Sequence, residues 1–140
     1  MPASVLVDAG PLVAWLNRGD AYHAWARDHF ARLRPPLLTC EPVLTEVTFL
    51  LDSAGLDSAV VPELITKSVL QVGLNLEDEA APVAALMRRY RNVPMSLADA
   101  CLVRLSEMRR QSTVFTLDSD FRIYRRHGRL TIPTLMPANA

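Results

Sequence analysis

Ser4-Val5-Leu6-Val7-Asp8-Ala9-Gly10-Pro11-Leu12-Val13-Ala14-Trp15-Leu16 decides the fold. Ser4 to Asp8 is a short apolar run closed by an acid, the pattern of a strand buried on both faces. Gly10-Pro11 then turns the chain. Pro11 suits the first turn of a helix through Leu12, Val13, Trp15 and Leu16, because its fixed φ is already helical and its missing N–H would find no helical partner there. A buried strand feeding a helix is one βα unit, and the rest of the chain repeats the alternation.

The spacing predicts a second helix over Ala21 to Leu33, with Trp25, Phe30 and Leu33 towards the core and Pro35-Pro36 stopping it. Leu37 to Thr39 reads as a short strand, and Thr39 is expected to cap a helix from Glu41 to Ser53. Gly55 ends that helix, and Asp57 starts another reaching about Ser68. Val69 to Leu74 is a further strand, weakened by Gly73. Glu77 to Arg91 is a helix with its acids first and its arginines last, matching the helix dipole. Ser96 caps Leu97 to Gln111. A strand at Thr113 to Leu117, a short helix at Ser119 to Arg126 ending near Gly128, and a strand at Thr131 to Leu135 complete the series. The expected architecture is a single α/β domain over residues 1–140, with a central, mainly parallel sheet of about 4–5 strands and helices on both faces.

Composition narrows the function classes. The chain has 140 residues, 50% of them hydrophobic and 21% charged, which suits one globular core and excludes disorder. No apolar stretch approaches the roughly 18–20 residues of a membrane span, and the N-terminus lacks the basic and apolar regions of a signal peptide. Cys40 and Cys101 form no CxxC and have no His/Cys cluster around them, so they read as small buried residues in a reducing compartment, and a cytoplasmic protein is expected. The zero net charge hides an asymmetry. Residues 1–87 hold five basic residues against eleven acids, whereas residues 88–129 hold ten arginines against four acids. Arginine's planar fork matches phosphate oxygens, so the C-terminal third suits a nucleic-acid backbone, with a solvated helix face as the plain alternative.

Four acids stand against core-forming residues: Asp8 after Val5-Leu6-Val7, Glu46 inside Val43 to Leu51, Asp99 within Ala98 to Val103, and Asp118 after Val114 to Leu117. A carboxylate pressed against apolar neighbours costs several kcal/mol unless it is paired or binds a cation. Four together suggest a shared site for a hard divalent ion. In open parallel sheets, ligands bind beyond the carboxyl ends of the strands, and Asp8 and Asp118 lie at two such ends. Local roles stay open for three of them. Asp8 and Asp118 can cap the elements that follow, and Ser96-x-x-Asp99 can be a capping box. Glu46 has no basic residue three or four positions away to pair with.

At these residues the sequence resembles the PIN-domain ribonucleases, specifically the VapC-type toxins of bacterial toxin–antitoxin pairs. The matching pieces are Leu6-Val7-Asp8-Ala9-Gly10-Pro11-Leu12, Thr45-Glu46-Val47, Ser96-Leu97-Ala98-Asp99-Ala100 and Thr116-Leu117-Asp118-Ser119-Asp120-Phe121. Their order, their spacing and the chain length agree with the family, so the resemblance covers essentially the whole chain. It implies a PIN-like three-layer fold, Mg²⁺ or Mn²⁺ as cofactor, and endonucleolytic cleavage of RNA. Carried over residue by residue, the acidic quartet is Asp8, Glu46, Asp99 and Asp118. The expectation is that Asp8, Asp99 and Asp118 hold the principal ion and that Glu46 acts through water or on a second ion. Asp120 matches a further acid of the family, and Thr116 a hydroxyl beside the site. The family also implies a homodimer and a cognate antitoxin bound in a groove near the acids; apolar Val60, Val61, Leu64 and Ile65 are candidates for such contacts.

Arg122, Arg125 and Arg126 are the expected RNA-phosphate contacts, and Tyr22, Tyr90, Phe121 and Tyr124 the few rings available for base stacking, Phe121 being the one most suited to the core. Two rival functions remain: a PIN nuclease of RNA maturation or decay without an antitoxin, and a non-enzymatic acidic α/β regulatory module. The second wants paired acids after the first strand and a late lysine. This chain has no Asp-Asp there, and Lys67 is its only lysine. A haloacid-dehalogenase phosphatase fails similarly, since Asp8-Ala9-Gly10 lacks the second acid.

Overall fold

The computed structural model describes residues 3–138. In chain order the elements are β1 (Ser4–Val7), α1 (Ala9–Leu16), α2 (His23–Arg32), β2 (Leu37–Thr39), α3 (Glu41–Ser53), α4 (Val60–Thr66), β3 (Leu70–Val72), α5 (Leu76–Arg89), α6 (Leu97–Met108), β4 (Ser112–Phe115), a 3₁₀ turn (Ser119–Arg122), β5 (Arg125–Arg126), β6 (Leu130–Thr131) and β7 (Thr134–Leu135). Five strands form one sheet in the order β3-β2-β1-β4-β7. All its pairings are parallel, with β1 and β4 in register from Ser4↔Ser112 to Val7↔Phe115.

The chain builds β1, β2 and β3 outward in one direction, then crosses back to place β4 on the other side of β1. Right-handed crossovers put the helices made before and after such a reversal on opposite faces of the sheet. The expected α/β architecture is therefore present, and β1 and β4 flank the point where strand order reverses.

Central strands buried on both faces account for the apolar runs. Leu6, Val7, Val114 and Phe115 are fully buried. Phe115 packs against Phe30, with ring centroids 5.1 Å apart, and against Trp25 at 5.2 Å, while Trp15 stacks on Phe30 at 4.2 Å. Arg104 of α6 donates to Glu79 of α5 at 2.7 Å and to Glu107 at 3.3 Å, tying those two helices together. Among the described residues no helix is long and apolar enough to cross a membrane.

The structure corrects several local expectations. Thr39 does not cap α3. Its hydroxyl donates instead to the Val7 carbonyl at 2.9 Å, filling an acceptor left open where β1 ends. The helix expected over Ser119 to Arg126 is only a 3₁₀ turn, followed by a hairpin of β5 and β6. His127 and Gly128 both have positive φ, 50° and 78°, and the Arg129 N–H donates to the Arg126 carbonyl at 3.1 Å. That is the backbone of a tight hairpin turn, which Gly suits and a helix does not. The single strand expected from Thr131 to Leu135 is split at Pro133, which lies between β6 and β7 and has no N–H to donate to a ladder.

Candidate metal centre

Asp8, Asp99 and Asp118 come together at the carboxyl edge of the sheet: each offers a carboxylate oxygen, and the three oxygens lie within 4.8 Å of one another. Each acid arrives there by a local device. Asp8 follows β1 directly and accepts the Ala9 N–H at 2.8 Å, capping α1. Asp99 sits in the first turn of α6 in a capping box: Ser96 Oγ accepts the Asp99 N–H at 3.0 Å, and Asp99 Oδ2 accepts the Ser96 N–H at 3.4 Å. Asp118 follows β4 after two residues and accepts the Asp120 N–H at 2.9 Å, capping the 3₁₀ turn. The local roles and the shared site are one arrangement. A carboxylate that caps commits part of its acceptor capacity to the backbone and keeps the rest for a ligand.

Two further contacts close the cluster. The Thr116 hydroxyl donates to Asp8 Oδ2 at 2.7 Å and accepts the Asp118 N–H at 2.9 Å, so one side chain sets two of the acids. Gly10 lets the first turn of α1 approach this edge, since a Cβ there would stand 3.1 Å from the Leu117 side chain.

The electrostatics suit a cation site. Asp8 is 7% exposed, and burial pushes its carboxyl up to about 6 from an ordinary 3.8. The Thr116 and Ala9 hydrogen bonds oppose that shift, and the charges of Asp99 and Glu46 add to it. Asp99 is raised chiefly by burial, against the Tyr124 hydrogen bond. Glu46, on the exposed face of α3, is raised by desolvation and then by Asp99 and Asp118, which places it within electrostatic reach of the triad. The raised carboxyls of Asp8, Asp99 and Glu46 would be stabilised by a positive charge between them. The donors are all carboxylate oxygens, with no His or Cys, so the set fits a hard ion such as Mg²⁺ or Mn²⁺ and does not suit zinc.

Not every expected site residue behaves as expected. Arg126 is only 8% exposed, and its guanidinium donates to Ser112 O at 2.6 Å, Ser112 Oγ at 2.7 Å and Arg110 O at 3.2 Å. It fastens β5 to the start of β4 and is not available to RNA. Arg125 is half-buried and donates to the carbonyls of Arg122, Ile123 and Tyr124. Arg122 is exposed, and the Asp120 side chain is half-buried beside Asp118. Tyr124, Phe121 and Tyr90 are buried, so they are packing residues and not stacking platforms for bases; Tyr22 is half-buried.

Tyr124, which the sequence offers only as a ring for stacking, instead donates its hydroxyl to Asp99 Oδ2 at 3.0 Å. No local pattern announces a partner twenty-five positions away. Val61 and Leu64 lie in the core, leaving Val60 half-buried and Ile65 exposed among the residues proposed for contacts. Between the start of α3, the start of α6 and the β3–α5 connection lies a cavity of about 440 Å³, lined by Cys40, Glu41, Pro42, Thr45, Leu74, Leu76 and Leu97.

Comparison with known proteins agrees with this fold. The PIN domain family matches residues 5–126. Among solved structures, Mycobacterium tuberculosis VapC20, described as a sarcin–ricin loop cleaving toxin, superposes with a TM-score of 0.72 at 26% identity, covering 84% of this chain and 92% of that one. No curated protein sequence matches.

Proposed function

The chain belongs to the PIN-domain family, and from that premise we propose that it is a metal-dependent endoribonuclease, the toxin of a toxin–antitoxin pair. The observation that carries this is the convergence of Asp8, Asp99 and Asp118 at the reversal point of the sheet. Asp8, Asp99 and Asp118 would hold Mg²⁺ or Mn²⁺. When bound, such an ion supplies Lewis-acid polarisation of the phosphoryl oxygens and activation of water.

The protein's own groups do the remainder. Thr116 and the backbone caps hold the acids in place before substrate arrives, so little reorganisation accompanies reaction. Glu46 stands at the rim, more accessible than the triad, with its carboxyl raised. That suits a group that accepts a proton from attacking water or steadies a second ion through water. Arg122 is the most exposed of the three arginines first considered and is our candidate phosphate contact, with Arg125 beside it.

The similarity to VapC20 supports a cognate antitoxin, and the cavity lined by Cys40, Thr45 and Leu97 is the proposed groove for its peptide. Exposed Phe49 (67% accessible), Leu50, Leu56 and Ile65 on and after α3 and on α4 support a homodimer. Two free, buried cysteines support a reducing, cytoplasmic setting.

The deciding experiment is cleavage of structured RNAs, a sarcin–ricin loop oligonucleotide among them, by purified protein in Mg²⁺, Mn²⁺ and EDTA, with Asp8→Asn alongside. We expect metal-dependent internal cuts that EDTA and Asp8→Asn both abolish. Metal-independent cutting, or full activity of Asp8→Asn, contradicts the proposal. Growth arrest on expression, relieved by the product of the adjacent reading frame, separates a toxin from an RNA-maturation nuclease.

A further inference from the structure

Tyr124 is wholly buried, and the fold gives its hydroxyl a carboxylate of the metal centre as acceptor, Asp99 Oδ2 at 3.0 Å. A buried hydroxyl without a partner is costly, so this bond is a requirement of the packing as well as a contact to the site. The ring cannot swing away. Tyr90 meets it edge-on with centroids 5.1 Å apart, and Phe121 does so at 5.2 Å. Tyr90 is itself anchored, its hydroxyl oxygen accepting the Arg125 N–H at 3.0 Å.

Asp99 needs such a restraint more than Asp8 does. Both oxygens of Asp8 accept short hydrogen bonds, at 2.8 and 2.7 Å. The Asp99 carboxylate turns about a torsion with a broad energy minimum, and its capping bond to the Ser96 N–H, at 3.4 Å, is long and weak. The Tyr124 hydroxyl supplies the shorter of the two bonds to Oδ2. With Oδ2 turned to Tyr124 and Ser96, Oδ1 is the oxygen that Asp99 would present to an ion.

Resting on the metal-centre reading above, we propose that Tyr124 is a positioning residue that orients the Asp99 carboxylate for the cation. It reaches no reacting atom. Its effect runs through Asp99, and it also fixes the segment following Asp118 to helix α6. Tyr124 thus sets the spacing between two of the three ion-binding acids.

The test is Mn²⁺ affinity by isothermal titration calorimetry, which reads the site without substrate. Tyr124→Phe keeps the ring and removes the hydroxyl. Its Mn²⁺ Kd should rise about tenfold, the lower end of what losing an outer-shell partner of a metal ligand costs. In an Asp99→Asn background the same substitution should change the remaining affinity less than twofold. A 4-aminophenylalanine at position 124, which keeps a donor at the ring tip, should bind within about threefold of wild type. Wild-type affinity in a folded Tyr124→Phe overturns the proposal and leaves the metal centre standing. Failure of the wild-type protein to bind Mn²⁺ overturns both. Where circular dichroism shows Tyr124→Phe unfolded, the amino variant decides: binding within about threefold of wild type supports the proposal, and weaker binding overturns it.

Discussion

The acid edge and the arginine segment of this protein are built by opposite means. At the edge, Asp8 and Asp118 sit one and three positions beyond a strand and cap the element that follows, and Asp99 sits in the first turn of α6 and completes that helix's capping box. In the segment from Ser119 to Leu135, the stretch from Tyr124 to Gly128 is held by distant partners. Arg126 reaches Ser112 and Arg110, the His127 N–H reaches Glu107 Oε2 at 2.7 Å, and Arg89 reaches the Gly128 carbonyl at 2.7 Å. Local rules place chemistry at the edge, while long-range hydrogen bonds decide which arginines remain accessible along the segment.

The sharpest way to break this contrast is Asp8→Asn. RNA cleavage should fall by at least about 100-fold, in keeping with the loss of a principal metal ligand. The metal-free protein should nevertheless become more stable, by about 1–2 kcal/mol at pH 7, because a charge raised by burial is removed. Thermal unfolding with EDTA reads the second effect. A destabilised Asp8→Asn would make the acid primarily a structural cap.

Arg126→Met probes the other region. It should lower stability by roughly 2–3 kcal/mol through lost buried hydrogen bonds, while leaving the salt dependence of RNA affinity nearly unchanged. Denaturant unfolding and a salt titration of binding read the two sides. Arg122→Gln should instead shift the salt slope, by about one unit.

A smaller and more graded effect is expected from pH. Asp8 has a folded value of about 6, above its ordinary 3.8, so between those values the folded state holds the proton more tightly than the unfolded chain does. Stability of the metal-free protein should fall as pH rises across that window and level off above it. Asp99 and Glu46 are raised in the same direction and contribute with the same sign. A cation competes with those protons, so apparent metal affinity and cleavage should both decline below about pH 6. A pH-independent metal affinity between 5 and 8 would remove Asp8 from the site.

What sequence could supply follows the same division. An acid set against an apolar run is visible wherever it falls, so Asp8, Glu46, Asp99 and Asp118 stand out, and alternating strand and helix patterns lead to the parallel sheet. The strand order, which brings β1 beside β4 and so unites Asp8 with Asp118, has no local signature. Thr39 looked like a cap because it precedes a helix, yet an open Val7 carbonyl on the neighbouring strand claimed its hydroxyl. Arg126 looks like its neighbours Arg122 and Arg125 in sequence, and its hydrogen bonds to Ser112 and the Arg110 carbonyl distinguish it. His127-Gly128 was a hairpin signal within reach of sequence reasoning, outweighed by the expectation of a helix running up to Gly128.

Anomalous diffraction from a crystal grown with Mn²⁺ bears most directly on whether the three acids share an ion. One peak should lie within coordinating distance of an oxygen from each of Asp8, Asp99 and Asp118. An ion bound by only one of them, or a site left empty at millimolar Mn²⁺ and neutral pH, would contradict the account.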